Sequence, residues 1–187
     1  MAISLDTIHE IEVLVRGGFE KRGRIIEILT EELHELGELN KKEIKIALDK
    51  VIDKHNKDKK KWSAVTDCDK LNEAFTYFSN NGIIALQNAG FTQSDGYEEV
   101  VDAYQAHPKR KNIIGFCFYH SQDLEMAIRG DGLLLSFGPI DPKNEKSEGK
   151  RIGLIISNEL KLLDFRVKWN GKFDQRIYLP KIDWKRR

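Results

Sequence analysis

The chain has 187 residues with 31 Lys plus Arg against 30 Asp plus Glu, a formal charge of +1, 40% apolar and 33% charged residues. That apolar content excludes a disordered tail, and the near-neutral balance argues against a nucleic-acid-binding domain, which is usually clearly basic. The longest nearly continuous apolar stretch, Gly132 to Ile140, is far short of the roughly 18 residues a membrane-crossing helix needs.

No secretory signal is expected, since Met1 to Leu14 lacks a basic opening and acquires Asp6, Glu10 and Glu12 early. Two cysteines make no disulfide framework, so a reducing, cytoplasmic setting is the expectation. The chain divides on paper into an N-terminal helical segment, 1–61, and an α/β domain, 62–187.

The first helix is predicted behind Ser4, with Ile8, Ile11 and Val15 at helical spacing and Gly17-Gly18 as its end. A second stripe carries Ile25, Ile28, Leu29, Leu33 and Leu36 and closes at Gly37. Asn40, with Glu43 three residues on, has the form of a capping box for a long amphipathic helix bearing Ile44, Ala47, Leu48, Val51, Ile52 and His55. The lysine-rich stretch Lys54 to Lys61 reads as its solvated end.

After Trp62 the pattern changes. Thr66 or Asp67 caps a helix with Leu71, Ala74, Phe75 and Phe78, stopped by Asn81-Gly82. Ile83 to Gln87 is a short strand, and Ser94 or Asp95 starts a helix over Glu98 to Gln105. Asn112 to Tyr119 is too uniformly apolar for a half-exposed edge and reads as a central strand. Ser121 caps a brief helix through Ile128, Leu133 to Phe137 is another strand, and Glu148 to Leu162 is a helix. The last segment, Phe165 to Leu179, reads as a hairpin about Asn170-Gly171, the favoured type I′ pair. The fold class is therefore α/β (or α+β): a single mixed sheet with flanking helices and an N-terminal helical extension.

If the strands at 83–87, 113–119 and 133–137 run in parallel, their C-terminal ends share one rim, where open α/β sheets bind ligands. The loops leaving that rim supply Gln87, Asn88, Gln93, Ser94 and Asp95, then Ser121 and Gln122, then Asp141, as candidate ligand-binding residues. His120, at a strand end, and Asp123 are the candidate catalytic pair, with imidazole as general base or metal ligand. Cys68, at a helix start between Asp67 and Asp69, is a candidate reactive thiol, whereas Cys117 lies in an apolar strand. None of the other histidines, His9, His34, His55 and His107, forms a zinc-ligand spacing. No phosphate loop, nucleophile elbow, zincin motif or dinucleotide fingerprint occurs.

Five strings carry a family resemblance: Val65-Thr66-Asp67-Cys68-Asp69, Ala85 to Gly96, Phe118 to Glu125, Phe137-Gly138-Pro139-Ile140-Asp141, and Ile182 to Arg187. With them the chain resembles a bacterial family of uncharacterised proteins, a domain of unknown function. The resemblance implies no reaction, ligand or cofactor. It directs attention to the same three loops.

Three functions follow as expectations. The first is a binding or regulatory module that contacts another protein or a small polar ligand through the strand-end cleft or the N-terminal helices. The second is a small metal-assisted hydrolase or transferase using His120 and one or more of Asp95, Asp123 and Asp141. The third, nucleic-acid binding through Lys59 to Lys61 and the basic tail, with Trp184 as a stacking platform, is disfavoured by the neutral charge.

Overall fold

The structure is a computed structural model and describes residues 3–187. Two compact units emerge. One takes the chain up to Thr66 together with Trp184–Arg187, and the other is Asp67–Asp183.

In the first unit, α1 (Leu5–Gly17) begins where the Ser4 hydroxyl accepts from the Thr7 amide at 3.0 Å. Helix α2 (Arg22–Glu27) runs into a π-turn, Ile28–Glu32, and α3 spans Lys41–Lys59. The Asn40 side-chain oxygen caps α3, accepting from the Lys42 amide at 2.9 Å. Ile11, Val15, Ile25, Ile26, Leu29, Ile44, Ala47 and Leu48 form the core of this unit. The predicted stripe beyond Leu29 is corrected: Leu33 is 50% exposed and Leu36 86%. The π-turn inserts a residue into the helical repeat, so positions after it leave the buried face.

The basic tail is used internally. Trp184 is buried and its indole donates to the Arg16 carbonyl at 3.1 Å, so it offers no open stacking surface. The Arg186 guanidinium lies 4.0 Å over Phe19, and Arg187 lies 5.9 Å from the Trp62 ring while bonding the Ser63 carbonyl.

The second unit is the mixed α/β body. Its elements in order are α4 (Asp67–Asn80), β1 (Ile83–Gln87), α5 (Gln93–Ala106), β2 (Gly115–Tyr119), α6 (Ser121–Arg129), β3 (Leu133–Pro139), α7 (Glu145–Leu162) and β4 (Ile177–Leu179). Among the described residues the sheet order is β1-β2-β3-β4. β1 and β2 pair in parallel, joined by the α5 crossover, and β2–β3 and β3–β4 pair antiparallel. Helices α4 and α7 pack on one face, and α5 and α6 on the other. Alternation along β2 sorts the core accordingly. Cys117 and Tyr119 face α4 and α7, where Phe75 meets Tyr119 at 5.7 Å, while Phe116 and Phe118 face α5.

The hairpin expectation needs amending. Lys168 and Tyr178 exchange both backbone hydrogen bonds, at 2.8 and 3.0 Å, but residues 169–177 form a long connection rather than a two-residue turn. The Asn170 side chain accepts from the Lys172 amide at 2.8 Å, a local Asx-type turn that displaces the tight hairpin, and β4 pairs with β3.

Candidate functional site

Two of the three expected loops converge. Because β1 and β2 are parallel, the segments leaving Gln87 and Tyr119 lie side by side and are laced together. The Ala89 amide donates to the Tyr119 carbonyl at 2.9 Å, and the Ser121 amide donates to the Gly90 carbonyl at 3.0 Å. The Ser121 hydroxyl donates to the Asn88 side chain and the Gly90 carbonyl, both at 2.9 Å. Asn88 has φ +56 and Gly90 φ +63, and a Cβ at residue 90 would stand 2.3 Å from that of Asp95, so glycine is required there.

The third loop is a correction. β3 runs antiparallel to β2, with Pro139 opposite Gly115, so Asp141 lies at the other end of the sheet from His120. At about 3.3 Å per residue, the length of β2 separates them by roughly 17 Å. Asp141 there accepts from the Lys143 amide at 3.0 Å and is exposed.

The remaining candidates have local duties. Gln87 accepts from the Tyr119 hydroxyl at 3.1 Å and donates to Asn72 at 2.9 Å, on the sheet face opposite to Phe118. The cap of α5 is Thr92, one turn earlier than Ser94 or Asp95. Asp95 sits in the first turn, accepting from the Thr92 and Phe91 amides at 2.8 and 3.1 Å. Hydrogen bonds from Thr92, its amide first, hold the Asp95 carboxyl below the usual carboxylate range. Gln93 donates to the Tyr97 hydroxyl at 3.2 Å, and Ser94 and Gln122 are exposed. Cys68 and Cys117 are both buried and not joined in a disulfide; burial pushes the Cys117 thiol far up, away from thiolate chemistry.

The sharpest cluster lies under α6. His120 is its N-cap residue and Asp123 its third residue, which turns the carboxylate back toward the start of the helix. Asp123 Oδ2 accepts from the His120 amide at 3.3 Å and stands 3.0 Å from His120 Nε2. The same oxygen accepts from Arg176 Nη2. Asp123 is 2% exposed and His120 4%. A carboxylate only accepts, so Nε2 carries the hydrogen. Among the described residues, buried His120 Nδ1, Ser136 Oγ and Arg176 Nε have no hydrogen-bond partner. Ser136 pairs with Phe118 across the sheet, and with Ile177 opposite Leu135, Arg176 continues the register opposite Ser136. The three orphaned atoms thus belong to side chains grouped on the α5–α6 face.

Arg176 carries the cluster outward. Its Nη2 also donates to the Leu134 carbonyl at 3.2 Å, and its side chain borders a depression of about 650 Å³ lined by Met126, Leu134, Tyr178 and the 168–176 segment. No motif marks Arg176, whose partner Asp123 is 53 residues away. Its one signal is alternation: Arg176 and Tyr178 share the sheet face opposite to that of Ile177.

Burial pushes the His120 imidazole below its ordinary range; Asp123 opposes the shift and Arg176 adds to it. The folded state therefore resists a proton that the unfolded chain accepts near pH 6.5. The contribution is fully present above that pH and is lost as pH falls through the window below it, with a slope of at most about 1.4 kcal/mol per pH unit. Urea denaturation of the wild type and His120→Gln between pH 7.5 and 5 measures this difference. A wild-type acid loss no steeper than the variant's would refute it.

Comparison with known families matches residues 4–187 to the family described as Domain of unknown function (DUF6891). The chain belongs to this family. The match runs through both units, so the helical extension and the α/β body with its Asp123 cluster fall within a single family pattern. No curated protein and no solved structure matches the chain. Among the described residues no helix is long and apolar enough to cross a membrane.

Proposed function

We propose that the protein is a binding or regulatory module, and that it takes its ligand in the depression beside Arg176. The observation that carries this reading is the shared Asp123 oxygen, which ties a buried histidine on one side to a guanidinium bordering an open depression on the other. A general base must present a nitrogen to its substrate. His120 Nε2 is engaged by Asp123, and Nδ1 is buried. The histidine is better suited to holding the start of α6 than to proton transfer.

The metal-assisted hydrolase is supported less well. Asp95 is turned into its own helix cap and Asp141 lies at the opposite end of the sheet. Among the described residues no group of three or more His, Cys, Asp and Glu side chains is placed to hold a metal ion. Two cysteines not joined in a disulfide are in keeping with a cytoplasmic setting, and near-neutral charge favours a small polar ligand or a protein over nucleic acid.

His120→Ala separates the two readings. A positioning histidine is expected to cost about 1–3 kcal/mol of stability when removed, measured by urea denaturation. The reading is overturned if the variant is as stable as the wild type and has lost a wild-type ability to hydrolyse p-nitrophenyl acetate or p-nitrophenyl phosphate.

A further inference from the structure

Resting on the binding role just argued, we propose that the depression beside Arg176 receives a monocarboxylate attached to an apolar or aromatic body. It is an open depression of about 650 Å³. Met126, Leu134 and Tyr178 give it apolar walls, and Lys168, Asp174 and Arg176 its charges.

The guanidinium is fixed before any ligand arrives. Nη2 is held by Asp123 and by the Leu134 carbonyl, whereas Nη1 donates to no protein partner among the described residues, and Nε is buried without one. A planar fork held from behind, with Nη1 left over, is a preorganised receptor for a planar oxyanion. Lys168 is exposed on the same rim.

Charge selects among oxyanions. The lining sets Lys168 and Arg176 against Asp174, one positive charge in excess, and Asp123 behind the guanidinium already draws on it. This accommodates the single charge of a carboxylate and not the −1.5 to −2 or so of a phosphate monoester. The apolar walls supply the contact that a bare inorganic anion lacks.

The test uses the full-length, 15N-labelled chain with three probes of similar size: phenylacetate, 2-phenylethanol and phenyl phosphate. Phenylacetate is expected to shift the Arg176 Nε–H resonance and the amides of Met126, Lys168 and Tyr178, and to bind about tenfold or more tighter than the alcohol by calorimetry. Arg176→Lys, which keeps the charge and loses the fork, is expected to weaken phenylacetate about tenfold. Lys168→Gln changes an exposed side chain, so the fold is preserved, and is expected to weaken it severalfold while flattening its salt dependence. Equal binding of acid and alcohol, or tighter binding of phenyl phosphate, overturns the carboxylate assignment and leaves the binding role standing. If none of the three shifts these residues, the assignment and the location of the site both fall.

Discussion

Asp123→Ala is expected to destabilise the protein by about 3–5 kcal/mol, as removal of one partner from a buried ion pair does. The carboxylate is 2% exposed and receives the His120 amide, His120 Nε2 and Arg176 Nη2. Its loss leaves a guanidinium, whose side chain is only 24% exposed, with the Leu134 carbonyl as its remaining acceptor. It also removes the acid from the first turn of α6, where the free amides favour negative charge. Asp123→Asn keeps an acceptor oxygen and loses the charge, so it is expected to fall between wild type and Ala. The second variant that identifies the cause is Asp123→Ala with Arg176→Met: removing both charges relieves the unpaired guanidinium, so the double variant is expected to be more stable than Asp123→Ala alone. Urea denaturation at pH 7.5 decides it. A single-variant loss below about 1 kcal/mol, or a double variant losing the sum of both singles, would remove the ion pair from the account.

What was legible in the sequence is what short-range chemistry determines. Ser4, Asn40 and Asn81-Gly82 mark helix ends through their own side chains or backbone, and Ile83 to Gln87 and Leu133 to Phe137 are apolar runs bounded by turns. The mixed sheet follows from such elements in that order. Strand direction does not. Nothing local to Leu133–Pro139 specifies pairing against β2 in the antiparallel sense, and that one choice moved Asp141 to the far end of the sheet. In the same way Leu33 and Leu36 continue a helical stripe on paper, and only the π-turn at Ile28–Glu32 puts them in solvent.

The candidate site shows the same division. His120 and Asp123 were legible as a pair because three residues of helix separate them, a spacing that brings side chains together without tertiary help. Arg176 was not, because it meets Asp123 only after β4 has docked on β3. Most polar residues at the β1–β2 rim bond one another or their own helix caps, as Asn88, Ser121 and Asp95 do. The chemistry with unspent donors lies instead where a long-range contact placed it, at Arg176. Composition and spacing find the scaffolding of such a rim more readily than its binding group.

Phe118→Ala is expected to cost about 3–5 kcal/mol, the usual range for a fully buried phenylalanine. The ring is 0% exposed and meets Tyr97 edge-on at 5.2 Å and Phe116 at 6.0 Å, joining β2 to the start of α5. The closeness of that packing is read from Gly96, where a Cβ would fall 2.3 Å from a Phe118 ring carbon. Gly96→Ala is therefore expected to destabilise the wild type by about 1–3 kcal/mol through overpacking. In the Phe118→Ala background the obstructing ring is gone and the new methyl enters the space it left. The same substitution then brings only the helix preference of alanine over glycine, about 1 kcal/mol, and some cavity filling, so it is expected to stabilise. A change of sign between backgrounds is the signature of direct contact, since distant substitutions add within about 0.5 kcal/mol. Chemical denaturation of the four proteins measures it. If Gly96→Ala destabilises equally with and without the Phe118 ring, α5 is not seated on β2 through this contact.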